Sequence, residues 1–367
     1  MGEIHSQPGQ HFVTLPLMND FRGSHVEPGR GRPFLRELRR RLNFFGWPLI
    51  LVRQRVNWSL SRVLGECWRL LANIGTQREV LRFLAHRPFD EFAQDKPWFA
   101  FKYLIPDYIV LGFTVAERAS CFLHHYRRMH SALPESTLRQ ILQGEVVLHQ
   151  VRDGDNCFTV TIGMPAMRYD REGELSTHLR VNGVEVYSLS FIIVPGGVVG
   201  SDLVETLLIT CLQGKKNCDF EMKLVRKVFY EYSPRLLLLA ALQGFAIAFG
   251  IEELTAVCAT NQRSYSKGHS TAFHHSYDEF FASLGMRQTA AGFYSAPVPI
   301  QGKSLESFEP KARWRARRRR AMRKQIESAC VNFFSGTAGQ NAASFSSAML
   351  AAPVSEPTVN SQLSATP

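Results

Sequence analysis

An α+β fold, helical in its first part and built on a mixed sheet with flanking helices in its second, follows from three observations. Apolar residues recur at helical spacing in the stretch before residue 145. Two turn signals, Asp153-Gly154-Asp155-Asn156 and Asn182-Gly183, then separate apolar extended segments. Beyond residue 214, helical stretches and short strands interleave.

Residues 1–33 read as a flexible leader of polar residues, Gly and Pro. The helical region spans 34–145. Leu60, Val63, Leu64, Cys67, Leu70 and Leu71 share one helical face, and Thr114 with Glu117 forms a capping box before a second helix. An α/β region follows over 146–310. Its strands are expected at Val146–Leu148, Phe158–Ile162, Leu175–Val181, Val184–Val194 and Leu207–Leu212. A helix is expected at Phe220–Tyr230, and another starts at Ser233-Pro234 and stops at Gly250. A strand at Leu254–Cys258, a helix at Tyr277–Leu284 closed by Gly285, and a strand pair within Gln288–Tyr294 complete it. A basic helix is expected over 311–334 and a disordered Ser/Ala/Thr/Pro-rich tail over 335–367.

The hydrophobic fraction of 45% excludes a disordered chain, and 26 phenylalanines predict an aromatic core. Seven scattered cysteines without a C-x-x-C motif suit reduced, buried thiols, not a disulfide framework or a metal site. No charged segment leads into an apolar run of signal-peptide length. The longest apolar stretch, Leu236–Ile251, is interrupted by Gln243 and too short to span a bilayer. These features predict a soluble, cytoplasmic protein. The net charge of +11 is local: Lys311–Lys324 carries nine basic residues and no acid.

An ordered set of segments resembles the VirK/YbjX family of Gram-negative bacteria. It comprises Lys102-Tyr103-Leu104, Leu111-Gly112-Phe113-Thr114 with Glu117-Arg118, and His125-Tyr126. It continues through Glu172-Gly173-Glu174-Leu175, Val186-Tyr187 with Ser190-Phe191, Leu212-Gln213-Gly214, Pro234-Arg235, Tyr277-Asp278 with Phe280-Phe281, and the arginines of 313–323. The resemblance covers roughly 40–330. The chain departs from it at Tyr232-Ser233, where the family commonly has Gly, and at Phe281, where it often has Trp. The resemblance implies a link to virulence and the cell envelope and supplies no reaction.

The order of elements after residue 200 also resembles the acetyl-CoA-binding core of GNAT-type acyltransferases. That resemblance implies an acyl donor, acetyl-CoA or acyl carrier protein, held by Gln213, Gly214, Lys215 and Lys216, since turn amides and a helix start favour phosphate. The GNAT glycine pattern is missing, and Asp219 and Glu221 follow closely. Glu172 or Glu174 would act as base and Tyr277 or Tyr294 as acid. The competing reading makes the two glutamates solvated residues flanking a turn glycine. The adjacent His124-His125 and His274-His275 do not face one another on a helix, and no metal is expected.

The rival expectation is a non-enzymatic protein. Arg315, Arg317, Arg318, Arg319 and Arg320, with Trp314 among them, suit an anionic membrane surface, here the inner membrane, or a partner. The stretch Arg30–Arg41 offers a second such segment. A plainer alternative pairs the arginines with acidic surface of the domain. No recognition-helix or zinc-finger layout suggests specific DNA reading.

Overall fold

The computed structural model describes residues 65, 68–166, 170–302 and 304–350, with side chains as far as residue 336. The chain divides into two compact units, Met1–Val63 and Leu64–Pro367, and the described residues belong to the second. The leader, the stretch Arg30–Arg41 and the helical expectation for 34–64 lie outside the described residues.

The first part is helical: α1 (Ile74–Leu84), α2 (Phe89–Asp95), a 3-10 segment (Pro97–Leu104), α3 (Val115–Ala132) and α4 (Glu135–Gln143). The capping box that starts α3 is complete. The Glu117 N–H donates to the Thr114 hydroxyl at 3.2 Å, and the Thr114 N–H donates to the Glu117 carboxylate at 2.7 Å. Its apolar stripe, Ala119, Phe122, Leu123, Tyr126 and Met129, is buried, and α3 packs on the sheet at β4. Phe99 meets Phe122 and Tyr126 with centroids 5.2 and 5.0 Å apart, the edge-on geometry that ring quadrupoles favour.

Eight strands form one mixed sheet: β1 (Glu145–Asp153), β2 (Asn156–Gly163), β3 (Leu175–Val181), β4 (Val184–Pro195), β5 (Glu205–Gly214), β6 (Glu253–Val257), β7 (Arg287–Gln288) and β8 (Phe293–Pro297). Their order is β1-β2-β3-β4-β5-β6-β8-β7. The β3–β4 hairpin turns at Asn182 (φ 50°) and Gly183 (φ 82°), the left-handed pair that matches strand twist. Among the described residues only β5 and β6 run parallel, because two helices, α5 (Asp219–Val228) and α6 (Pro234–Phe249), cross over between them.

Helix α6 is apolar nearly all round because it is buried between the sheet and the long helix α9 (Pro310–Leu350). Pro234 opens it and Gly250 (φ 67°) ends it, although Ser233 makes no side-chain capping bond. At Gly244 the two helices nearly touch. A Cβ there would lie 2.4 Å from the Glu327 carbonyl oxygen and 2.8 Å from the Cys330 Cβ.

Two expectations change. The helix expected at Tyr277–Leu284 is a longer assembly of α7 (Ser270–His274), a π-turn (His275–Glu279) and α8 (Phe280–Ser283). Helix α9 runs to Leu350, past residue 335 where the disordered tail was expected to begin. Alanine recurs through that stretch and is the strongest helix former.

Candidate functional site

The parallel pair parts where the shorter strand, β6, ends. Strands β5 and β6 are in register at Leu207–Leu254, Leu208–Thr255 and Ile209–Ala256, and β5 then continues to Gly214 while β6 ends at Val257. The divergence begins at a bulge. Ser190 of β4 pairs with Cys211 and Phe191 with Ile209, so Thr210 is the extra residue on β5. Its hydroxyl lies against the carbonyls of Glu172 and Ser190.

The Glu172-Gly173-Glu174 segment lies over this bulge. Gly173 (φ 149°) sits so close to β4 that a Cβ would be 3.0 Å from both the N and O of Phe191. Only glycine fits that approach with that backbone. The Glu174 N–H donates to the Phe191 carbonyl at 3.1 Å. The two carboxylates therefore leave one short segment into different surroundings. Both are buried, contrary to the expectation that they are solvated.

Glu172, 2% exposed, lies beside the open end of β5. Its Oε1 accepts from the Ser264 hydroxyl at 2.7 Å and the Gln262 amide at 3.3 Å, with the Arg263 guanidinium 3.7 Å away. Its Oε2 is buried without a nitrogen or oxygen donor. The Cys211 thiol is within hydrogen-bonding reach of both Glu172 and Tyr277. The Tyr277 hydroxyl accepts from the Leu212 N–H at 3.2 Å, on the side of β5 that β6 has vacated. Burial pushes the Cys211 thiol well above its ordinary range, and the Glu172 carboxylate adds to this. Burial, then Cys211, does the same for the Tyr277 hydroxyl. Both stay protonated at neutral pH.

Glu174 belongs to a different network. It accepts from Lys102 Nζ at 2.6 Å, from the Tyr108 hydroxyl at 2.5 Å and from the Tyr126 hydroxyl, all buried. A carboxylate so saturated holds α3 and the 3-10 segment to the sheet. Tyr294 is in hydrogen-bond contact with Asp278, whose carboxylate also accepts from the Ala259 N–H at 2.9 Å. Of the four expected acid–base residues, Glu172 and Tyr277 meet around Cys211, whereas Glu174 and Tyr294 stand elsewhere. Sequence reasoning missed Cys211, Gln262, Arg263 and Ser264. The one signal for Cys211 was its place just before Leu212-Gln213-Gly214.

The expected phosphate cradle is largely sheet. Gln213 pairs with Ser188 and Gly214 with Tyr187, and the Lys215 N–H donates to the Val186 carbonyl at 3.0 Å. Gly214 has a packing reason, since a Cβ would meet the Tyr187 ring at 3.2 Å. Lys215 Nζ stands 3.6 Å from Glu185, while Lys216 is exposed ahead of the acidic first turn of α5. By strand alternation the Gly214 N–H shares the side of the Leu212 N–H, facing the divergence.

On α9, Arg315, Arg317, Arg318 and Arg320 are exposed. Trp314 is 55% exposed, its ring edge-on to Tyr230 at 5.6 Å, with Arg318 over its face. Arg319 donates from Nε to the Tyr230 carbonyl at 2.7 Å. Arg323 donates to the Gln243 side chain at 3.0 Å and the Ile300 carbonyl at 2.7 Å. Neutral oxygens, not acidic surface, hold these two. Among the described residues no group of three His, Cys, Asp or Glu could hold a metal ion, and no helix is long and apolar enough to cross a membrane.

No curated protein matches the chain. Among solved structures, a variant of a cAMP-binding acyltransferase from Mycobacterium smegmatis is similar at 12% identity and a TM-score of 0.23, over 57% of this chain and 59% of that one. The chain thus spans less than two thirds of that protein's length. A protein family described as "Protein of unknown function (DUF535)" matches residues 62–331, and the chain belongs to that family.

Proposed function

We propose that this protein transfers an acyl group from a thioester donor, acetyl-CoA or acyl carrier protein, at the divergence of β5 from β6. One observation carries the reading: an acid-bearing tyrosine and a buried carboxylate converge beside the part of β5 that continues past the end of β6, where the tyrosine oxygen holds a β5 amide. A central sheet with one diverging parallel pair also resembles the GNAT-type core. In the reaction, the Leu212 N–H exchanges the Tyr277 oxygen for the thioester carbonyl and stabilises the oxyanion. Glu172 takes the proton of an amine or hydroxyl acceptor as it attacks. The carbon–sulfur bond breaks, and Tyr277, kept protonated by its burial, returns a proton to the leaving thiolate. The setting is the cytoplasmic side of an envelope-related pathway, as the VirK/YbjX resemblance implies.

Calorimetry with acetyl-CoA and with an acyl carrier protein thioester tests this. Binding of one of them is expected, with Tyr277→Phe lowering turnover on the order of 10²–10⁴-fold while donor affinity changes little. No heat from either donor at about 100 µM protein removes the reading.

A second reading rests on the exposed face of α9. Arg315, Arg317 and Arg318 beside the half-exposed Trp314 suit docking on an anionic membrane surface, without need of a reaction. Co-sedimentation with liposomes rich in anionic lipid should weaken steeply with salt, and salt-independent binding contradicts it.

A further inference from the structure

The largest chemical contrast outside the β5–β6 divergence is a cavity between α6, α9 and the segment after β8. Its volume of about 480 Å³ falls within the roughly 300–1,000 Å³ typical of small-molecule sites. Leu236 and Leu239 of α6, with Ile300 and Phe308, give it an apolar floor. Its other wall is Arg319, Arg320 and Arg323, three guanidiniums within about one helical turn.

Arg319 and Arg323 are held in place by neutral oxygens alone among the described residues. Arg319 spends Nε on the Tyr230 carbonyl, and Arg323 spends one terminal nitrogen on Gln243 and the Ile300 carbonyl. Gln243 is itself fixed, accepting from the Ile300 N–H at 2.8 Å. Carbonyl oxygens orient a guanidinium and leave its charge in place. Among the described residues no carboxylate forms an ion pair with Arg319 or Arg323; Glu306 lies in electrostatic range of Arg320. The like charges of Arg319 and Arg323 repel one another, and an anion seated between them relieves that cost. The fork of each guanidinium also matches phosphate or carboxylate oxygens.

We propose that this cavity binds a single-chain anionic amphiphile, with a phosphate or carboxylate head on the arginines and an aliphatic chain over Leu236, Leu239 and Ile300. Both parts are required. An inorganic anion forgoes the apolar floor, and a neutral alkane leaves Arg319 and Arg323 without an anion. The site is distinct from the β5–β6 divergence and does not depend on acyl transfer there.

The test is calorimetry on the full chain below micelle concentration, with dodecyl phosphate, dodecanoate, dodecyltrimethylammonium and inorganic phosphate as probes. The two anionic amphiphiles should bind at least tenfold more tightly than the cationic one and than inorganic phosphate. If only one of them binds, the head group is identified as phosphate or carboxylate. Arg319→Ala should weaken binding about tenfold or more. Because an arginine variant can disturb α9, Leu236→Trp serves as a second probe, filling the floor from α6 and expected to abolish binding with an unchanged melting temperature. Equal binding of the cationic and anionic amphiphiles overturns the proposal, as does anionic binding that survives both substitutions.

Discussion

Glu172 and Glu174 differ by two residues and lie in different surroundings, and the residue between them explains why. Gly173 lets the segment press onto β4, so one carboxylate reaches Lys102 and the other Cys211. Glu174→Gln leaves the Lys102 ammonium buried without its counter-charge and should cost about 3–5 kcal/mol in chemical denaturation. A cost under ~1 kcal/mol would show that the network is not a structural lock. His125 contributes to the acid sensitivity. It is buried, accepts from the Ile193 N–H at 3.2 Å, and its pKa is lowered to about 3 by burial, then by His124 and Lys102. A folded pKa below the unfolded 6.5 means that unfolding takes up a proton, so stability is full above about 6.5 and is lost as pH falls toward 3. His125→Asn keeps an acceptor and removes the titration, so its stability should fall less between pH 7 and 4. These residues show where sequence reading stops. Glu172 and Tyr277 could be nominated from their types, but their meeting at Cys211 depends on a bulge that no spacing reveals.

At the scale of elements, local signals were legible and long-range ones were not. The capping box at Thr114, the Asn182-Gly183 turn and the Gly250 stop are set by neighbours in sequence, and each appears where expected. The π-turn at His275–Glu279 was not foreseen because its composition is that of any helix, and the continuation of α9 to Leu350 because the Ser- and Thr-rich stretch reads as disordered. Gly244 could have been read as a simple helix weakness, yet it is where α6 presses against Glu327 and Cys330 of α9. Gly244→Ala should push α9 outward at a cost of about 1–3 kcal/mol. Hydrogen exchange should then quicken along residues 323–334. Unchanged exchange there would mean that the helices adjust without separating.

For the whole molecule, the α+β class and the mixed sheet follow from the sequence order of helices, hairpins and crossover. The charge is as unevenly placed as the sequence suggests, since the basic run forms one exposed strip of α9 and one wall of a cavity. That wall could not be read from sequence, because the run's two faces differ only in what packs against them. The proposed acyl-transfer site is separate from this region, which allows one measurement to tell them apart. Backbone amide shifts of the isotope-labelled protein, titrated with acetyl-CoA and then with an acyl carrier protein thioester, address the central claim directly. The account predicts that a donor shifts Leu212, Gly214 and residues 254–257, as the Leu212 amide trades the tyrosine oxygen for a thioester carbonyl. Shifts confined to the arginine wall of α9, or none with either donor, would contradict it.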